Sequence, residues 1–438
     1  MANLFLVGGT GLLTTYLALY LGQHNVSTFW IGLLSTCYYG GLLLGARTAY
    51  YLIKSVGHIR SFAACTAVVS ACVAIHGLSD NLYLWLVLRV AVGLGMMCNY
   101  MVLESWLNEQ ASHEQRGRVF SFYMITSYLG MVAGQFALSY FPELGYAPLF
   151  VVCIALSIGI VPLSVTSRIH PKPLKPLHFS LFSFFKVIPQ SMTAVLFAGI
   201  INGSFYGLAP IYTSRAGYAA DQIATFMSVT ILAGLLAQWP MGVVSDKIRR
   251  SVLLRFNALM IGAVSVGMVL VTQPTSVALI LTFIFGLFAF TLYPLSSALA
   301  NSRVDDENRV GVSSALLVAF GAGAGIGSAL IAQIMAYFGH ASLYIAIAVL
   351  TLCMFVALTY INARQKAERM AHHDYVVSAS DMTTSPLAAS MDPRIEEATA
   401  QEQLLDVDAQ GEESETVTED EHGEPPPTGA REMENVGK

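Results

Sequence analysis

A chain of 438 residues with 55% hydrophobic and 12% charged side chains carries about half the charge of an ordinary soluble domain. The net charge of -5 hides a division: from Ala363 onward lie 18 of the 28 acidic residues and 6 of the 23 basic ones, a balance of -12, which leaves residues 1–362 at +7. A soluble globular enzyme is excluded for the first 362 residues, and the acidic balance belongs to the tail and says nothing of a substrate.

Crossing ~30 Å of hydrocarbon at ~1.5 Å per residue takes about 20 apolar residues, and twelve runs reach that length. They are continuous, not the ~10-residue alternating segments of a membrane barrel, so each is expected to be a helix. The first span, Leu4 to Gly22, carries Tyr16 and Tyr20. Met1-Ala2-Asn3 has no positive n-region and no clear cleavage site follows, so this span is expected to be retained. The second, Phe29 to Ile53, contains Arg47 and runs into a basic connection with Lys54, Gly57 and Arg60. The third, Ser61 to Ser79, holds His76, which reads as interfacial packing.

The fourth span, Leu82 to Leu107, is the most informative. Its segment Arg89-Val-Ala-Val-Gly93-Leu-Gly95 puts a cation about seven residues inside one end, ~10 Å by helical rise. A charge at that depth is costly unless it faces a wet cavity or a partner, or snorkels to the headgroups. Asn99 lies deeper, and Glu104 follows within Val102-Leu103-Glu104-Ser105-Trp106. Fifteen residues, ~22 Å along a helix, separate Glu104 from Arg89, so the two cannot pair. Glu104 is either a proton carrier or part of a charge clasp with Glu109 and Arg116 in the next connection. The fifth span, Val119 to Phe141, has Gly130-x3-Gly134-Gln135, a spacing that lets helices approach closely. The sixth is Tyr146 to Thr166.

The connection from Ser167 to Ile188 is rich in Pro and basic residues and divides the spans six and six. It reads as a linker, with a short interfacial helix over LHFSLFSFFK as an addition. The expected organisation is therefore a first bundle over 1–166, a linker over 167–188 and a second bundle over 189–362.

In the second half, the seventh span (Pro189 to Thr213) carries Asn202 and Gly203-Ser-Phe-Tyr206-Gly-Leu-Ala-Pro210. The eighth (Ala220 to Ser245) carries Gln238-Trp239-Pro240 and leads into Gly242-Val-Val-Ser-Asp246-Lys247-Ile-Arg249-Arg250. The ninth is Ser251 to Thr272. The tenth (Ser276 to Ala300) contains Phe290-Thr-Leu-Tyr293-Pro294, where a bend is expected because proline frees backbone groups that then need a wet or protein-lined setting. The eleventh (Val310 to Tyr337) has Gly321, Gly323, Gly325 and Gly327, and the twelfth is Ala341 to Ile361. The segment Ile31 to His58 has a counterpart 192 residues later, from Ile223 to Arg250, as parallel halves would show. Residues 363–438 have too few apolar side chains to offset the entropy of ordering and read as a disordered tail.

Cys37, Cys65, Cys72, Cys98, Cys153 and Cys353 lie in apolar runs without metal-ligand spacing. No cofactor or metal is expected, and no phosphate-binding G-x4-G-K-[ST] loop occurs. Placing the N-terminus in the cytoplasm puts seventeen loop Lys and Arg residues on that side and only Arg215 on the other, so both termini are expected there.

These motifs together resemble the major facilitator superfamily over residues 1 to about 362, and its YcaD-like bacterial branch in particular. Gly242 to Arg250 resembles the family's G-x3-D-[RK]-x-G-[RK]-[RK] loop, whereas the first half has Tyr50 and Lys54 at the glycine and aspartate positions and keeps Gly57 and Arg60. Arg89-x3-Gly93 resembles the fourth-span pattern of proton-linked members, and Glu109-x6-Arg116 that of sugar porters. Gln135 stands where the antiporter signature has proline, so antiport does not follow. The resemblance implies an all-α membrane protein of twelve transmembrane helices in two six-helix bundles, with spans one, four, seven and ten around a central cavity. Tyr16, Tyr20, Arg89, Asn99, Glu104, Asn202, Tyr206 and Tyr293 are then candidates for the substrate and proton pathway. Lys54, Gly57, Arg60, Glu109, Arg116, Gly242, Asp246, Lys247 and Arg250 are candidates for a gating clasp.

The expected function is secondary active transport of a small solute, coupled to protons and working by alternating access. The expected setting is a bacterial inner membrane, with lipid, solute and protons as partners, no nucleic acid, and a monomer. With Arg89 as the deep charge, an anionic solute is favoured over a cationic one. The alternative is a non-transporting receptor or scaffold that uses its acidic tail. A membrane-embedded enzyme would need clustered catalytic groups at one depth, and the polar residues of the spans are isolated.

Overall fold

A computed structural model of the protein describes residues 1–110, 116–165, 181–271, 273–304 and 309–381. The greater part of the 167–188 linker and residues 382–438 of the tail lie outside the described residues, as do the side chains of Glu109 and Arg116.

The first half comprises α1 (Ala2–Gln23), α2 (Thr28–Val56), α3 (His58–His76), α4 (Leu82–Gln110), α5 (Arg116–Leu138) and α6 (Ala147–Ser164). A short helix, α7 (Leu181–Val187), overlaps the end of the stretch expected to lie at the interface and packs Phe184 and Phe185 against the second half. The second half comprises α8 (Pro189–Arg215), α9 (Ala220–Lys247), α10 (Arg250–Leu270), α11 (Ser276–Ala289), α12 (Leu292–Asn301), α13 (Arg309–Phe338) and α14 (Ser342–Asp381). The tenth expected span is thus two helices. The last helix continues past Ile361 through a stretch of Ala, Arg, Gln, Lys and Glu, all good helix formers.

With α11 and α12 counted as one crossing, eleven helices among the described residues are long and apolar enough to span a membrane. The remaining crossing is α5, whose 23 residues pack against α1 and α9. Burial separates core helices from peripheral ones: 78% of the apolar windows of α1 and α8 is buried, against 28% for α14. Leu44, Phe150, Leu330, Leu352 and Val356 point outward, as hydrocarbon solvent allows.

Both halves repeat one pattern of pairing. In the first, α1 packs on α5, α2 on α4 and α3 on α4; in the second, α8 packs on α13, α9 on α11 and α10 on α11. The halves meet where α2 packs on α13, α5 on α9 and α1 on α8. Glycines make several of these contacts possible. A Cβ at Gly130 would overlap the Leu4 carbonyl, and one at Gly134 the Gly8 carbonyl, so α1 and α5 touch backbone to backbone. Gly199 and Gly323 do the same between α8 and α13.

Two ends can be distinguished. The basic end holds the α2–α3 and α9–α10 junctions with Lys54, Arg60, Lys247, Arg249 and Arg250; the opposite, distal end holds the α1–α2, α3–α4 and α8–α9 loops.

Candidate functional site

Arg89 of α4 is 2% exposed and ranks among the largest fully buried side chains. The approach of α2 explains its surroundings. A Cβ at Gly93 would overlap the Tyr38 carbonyl, and one at Gly41 the Val90 carbonyl, so these glycines let the two backbones meet. That contact brings the Tyr38 ring over the guanidinium, with Cζ 4.6 Å from the ring centroid. The Arg89 Nη2 donates to Thr14 Oγ1 of α1 at 3.4 Å, while Nε and Nη1 have no partner. Among the described residues the ion pair is Asp246 with Arg250, and no carboxylate reaches Arg89.

A void of about 10 Å³ lies beside the guanidinium, bounded by Thr14 and Leu17 of α1, Ile31 and Ser35 of α2, and Gly207 of α8. Its distal side is closed by the two halves. Thr36 Oγ1 donates to the Gly325 carbonyl at 2.8 Å, and Arg215 Nη1 donates to Thr28 Oγ1 at 2.7 Å. A Cβ at Gly207 would come within 2.6 Å of Ser35 Oγ, and one at Gly32 within 2.5 Å of the Ser328 carbonyl. Burial, with the charge of Arg215, holds the nearby His340 imidazole below its usual range, so Arg215 is the cation of this corner at neutral pH.

Towards the basic end, Tyr100 lies close to Tyr38, and Tyr123 of α5 lies close to partly buried Glu104. Tyr293 of α12 lies within electrostatic reach of Glu104 and packs edge-on against Phe320 at 5.4 Å between centroids. The Tyr206 ring stands 5.3 Å from Phe290, and Gln238 Nε2 of α9 donates to the Tyr128 hydroxyl at 3.2 Å across the halves. Arg89, Glu104, Tyr206 and Tyr293 are therefore set along the seam between the halves.

The other pathway candidates occupy different places. Asn99 is fully buried on the face of α4 that also carries Val92 and Met96, and its amide has no partner. Asn202 is buried and donates to the Ala289 carbonyl, where α11 stops. Tyr16 and Tyr20 belong to a buried distal cluster inside the first half, in which the Tyr20 hydroxyl donates to Asp80 at 3.1 Å and the ring lies 4.3 Å from His24.

Of the clasp candidates, Arg250 is the most engaged. It pairs with Asp246 at 3.7 Å and donates to the Ala298 carbonyl at 2.7 Å near the end of α12, where a cation complements the helix dipole. Asp246, Lys247, Lys54 and Arg60 are exposed. Gly242 has open space where a Cβ would stand, so it makes no close approach in this state. Gly57 has φ +88°, a conformation that favours glycine, and it alone separates α2 from α3. Arg47 is exposed on α2.

The sequence pattern did not single out Tyr38, Thr14, Tyr123 or the Thr28–Arg215 bond. Gly41 facing Gly93 was the available signal for the α2–α4 contact that creates the Arg89 setting.

The family model described as Major Facilitator Superfamily matches residues 1–316 and 193–375. The chain belongs to the Major Facilitator Superfamily. Within this superfamily it is 32% identical over 374 residues to a protein of Salmonella dublin named "Uncharacterized MFS-type transporter YcaD", covering 84% of this chain and 96% of that one. It is a secondary transporter of the YcaD-like branch and a multi-pass membrane protein. Solved structures share the superfamily fold at low identity. A bacterial homolog of the human lysosomal transporter Spinster, inward-facing and occupied, aligns with TM-score 0.69 and 14% identity over 83% of this chain and 94% of that chain. The nucleoside transporter NupG aligns with TM-score 0.66 and 11% identity over 82% of this chain and 96% of that chain.

Proposed function

We infer that the chain carries a small anionic solute across the membrane by alternating access, with proton coupling and with its basic end in the cytoplasm. The observation that carries this reading is Arg89, a charge buried at the seam of two repeated halves with no carboxylate beside it among the described residues. An isolated charge in hydrocarbon is expensive and marks a pathway residue by default. The void of this distal-closed state admits the centre of about one small sphere, so a multi-atom solute reaches Arg89 when the distal contacts part. Glu104, close to Tyr123 and Tyr293, then serves the basic end of the same seam as the proton-exchanging group. The excess of Lys and Arg at one end supports the orientation.

The test uses purified protein and a panel of carboxylates from acetate to benzoate, read first by thermal stabilisation. Each stabilising acid is then added to proteoliposomes containing a trapped pH-sensitive dye. A stabilising acid is expected to drive proton flux, and Arg89→Ala is expected to lose both responses. Unchanged rates in Arg89→Ala would remove the residue from the mechanism.

A further inference from the structure

The void beside Arg89 poses a question that solute recognition leaves open, because it is too small for a multi-atom solute while the charge remains. Arg89 is the ionisable side chain among the residues bounding it. Two of its N–H groups, Nε and Nη1, have no acceptor, and the residue is 2% exposed. The Tyr38 ring covers one face of the guanidinium, which offsets part of the cost of burying it but accepts no in-plane hydrogen bond. Thr14 is already committed, since its hydroxyl donates to the Thr10 carbonyl at 2.9 Å and accepts from Nη2. Ser35 is not: its hydroxyl is 3.5 Å from the Ile31 carbonyl, a weak bond, so it can turn and donate into the void.

The Arg89 guanidinium, with two donors unpaired, and the Ser35 hydroxyl thus border a space that admits the centre of about one small sphere. A water there would accept hydrogen bonds and leave the charge uncompensated, and an uncompensated buried charge is far more costly than an unsatisfied polar group. A carboxylate or phosphate brings several heavy atoms and is too large.

We propose that the distal-closed state occludes a single halide-sized anion, chloride in physiological media, between Arg89 Nε and Nη1 and the Ser35 hydroxyl. The ion neutralises Arg89 when the halves close over it and leaves when they part, so that a solute carboxylate takes the same charge in the distal-open state. The existence of the site rests on the geometry at Arg89, and its role in the cycle rests on the carrier reading given above.

Equilibrium binding of radioactive chloride to the purified full-length protein tests it without any substitution. Saturable binding approaching one ion per chain is expected, with bromide competing and sulfate not. Absence of saturable binding, or competition by sulfate as strong as that by bromide, overturns the proposal. Arg89→Gln, checked for monodispersity, is expected to lose the ion, and retention would place the anion elsewhere and also overturn it. Should that variant fail to fold, Ser35→Ala keeps the charge and is expected to weaken binding roughly tenfold, the usual effect of one hydrogen bond to an ion; unchanged affinity counts against the site. In proteoliposomes, flux driven by a stabilising acid is expected to fall when gluconate replaces chloride at equal ionic strength. Undiminished flux in gluconate sinks the anion's role and leaves the carrier standing. Bound chloride without flux from any acid keeps the site and removes the reading of an acid carrier.

Discussion

Gly93 and Gly40 lie on facing helices and have opposite surroundings. A Cβ added at Gly93 would overlap the Tyr38 carbonyl and lie 2.9 Å from the Leu42 nitrogen, atoms of backbone that cannot swing away. A Cβ at Gly40 meets nothing within 4 Å. Gly93→Ala is accordingly expected to push α2 from α4 and lower stability by about 1–3 kcal/mol, the range for overpacking. Gly40→Ala is expected to raise stability by up to about 1 kcal/mol, because the helix loses a flexible residue from its unfolded ensemble. Thermal unfolding in detergent decides, and equal shifts for the two would refute the close contact. The same contrast explains what could be read at this scale. Arg89 was legible because a cation inside an apolar run has few innocent explanations. Tyr38 was not, because tyrosines are common in spans and its meaning comes from a ring placed over Arg89 by a contact between distant segments. Asn99 and Asn202 were legible as polar but not as to direction, since a run that is apolar all round has no periodic face to orient them.

Among the elements, the tenth crossing shows how a helix can stop inside a bilayer. Pro294 lacks the N–H that would reach back to the Phe290 carbonyl, and α11 ends at Ala289 before α12 begins at Leu292. The carbonyls released there are taken up by side chains. Thr291 Oγ1 donates to Leu287 and Phe288, Asn257 Nδ2 lies 3.4 Å from Phe288 and 2.9 Å from Thr291 Oγ1, and Asn202 serves Ala289. Asn257→Leu is expected to cost about 1–2 kcal/mol, since it removes the donor to the buried Thr291 hydroxyl and one of two donors to the Phe288 carbonyl. In a Pro294→Ala background the continuous ladder can return, so the same substitution should cost markedly less. A double-mutant cycle on thermal unfolding measures that difference, and strictly additive effects would mean that the asparagine is not compensating for the proline. The twelve crossings themselves followed from run length, and the break was foreshadowed by Tyr293-Pro294. The partners that make the break tolerable come from α8 and α10, and no local pattern in the tenth span names them.

At the scale of the whole molecule, the decisive feature is that distal contacts between the halves are made by residues too small to be replaced. Gly32 of α2 lies against Ala332 and the Ser328 carbonyl of α13, and Gly207 of α8 against Ser35. Two packed surfaces of this kind have separated and closed arrangements rather than a continuum, which is how a small perturbation becomes a change of state. A leucine at position 32 cannot be accommodated by rotating a neighbouring side chain, because one of the atoms it meets is backbone. Gly32→Leu should therefore destabilise the distal-closed arrangement without touching Arg89 and shift the population towards distal-open. Ser35→Cys reports on this, since Ser35 is 5% exposed when the halves are closed. With Cys37 replaced by alanine to remove the nearest native thiol, a membrane-impermeant thiol reagent should label position 35 slowly. Adding Gly32→Leu should accelerate labelling about tenfold, the factor that corresponds to ~1.4 kcal/mol of shifted equilibrium. Equal labelling rates would show that the seal is set elsewhere, and Arg89 would then have to be reached by a route that does not part α2 from α13.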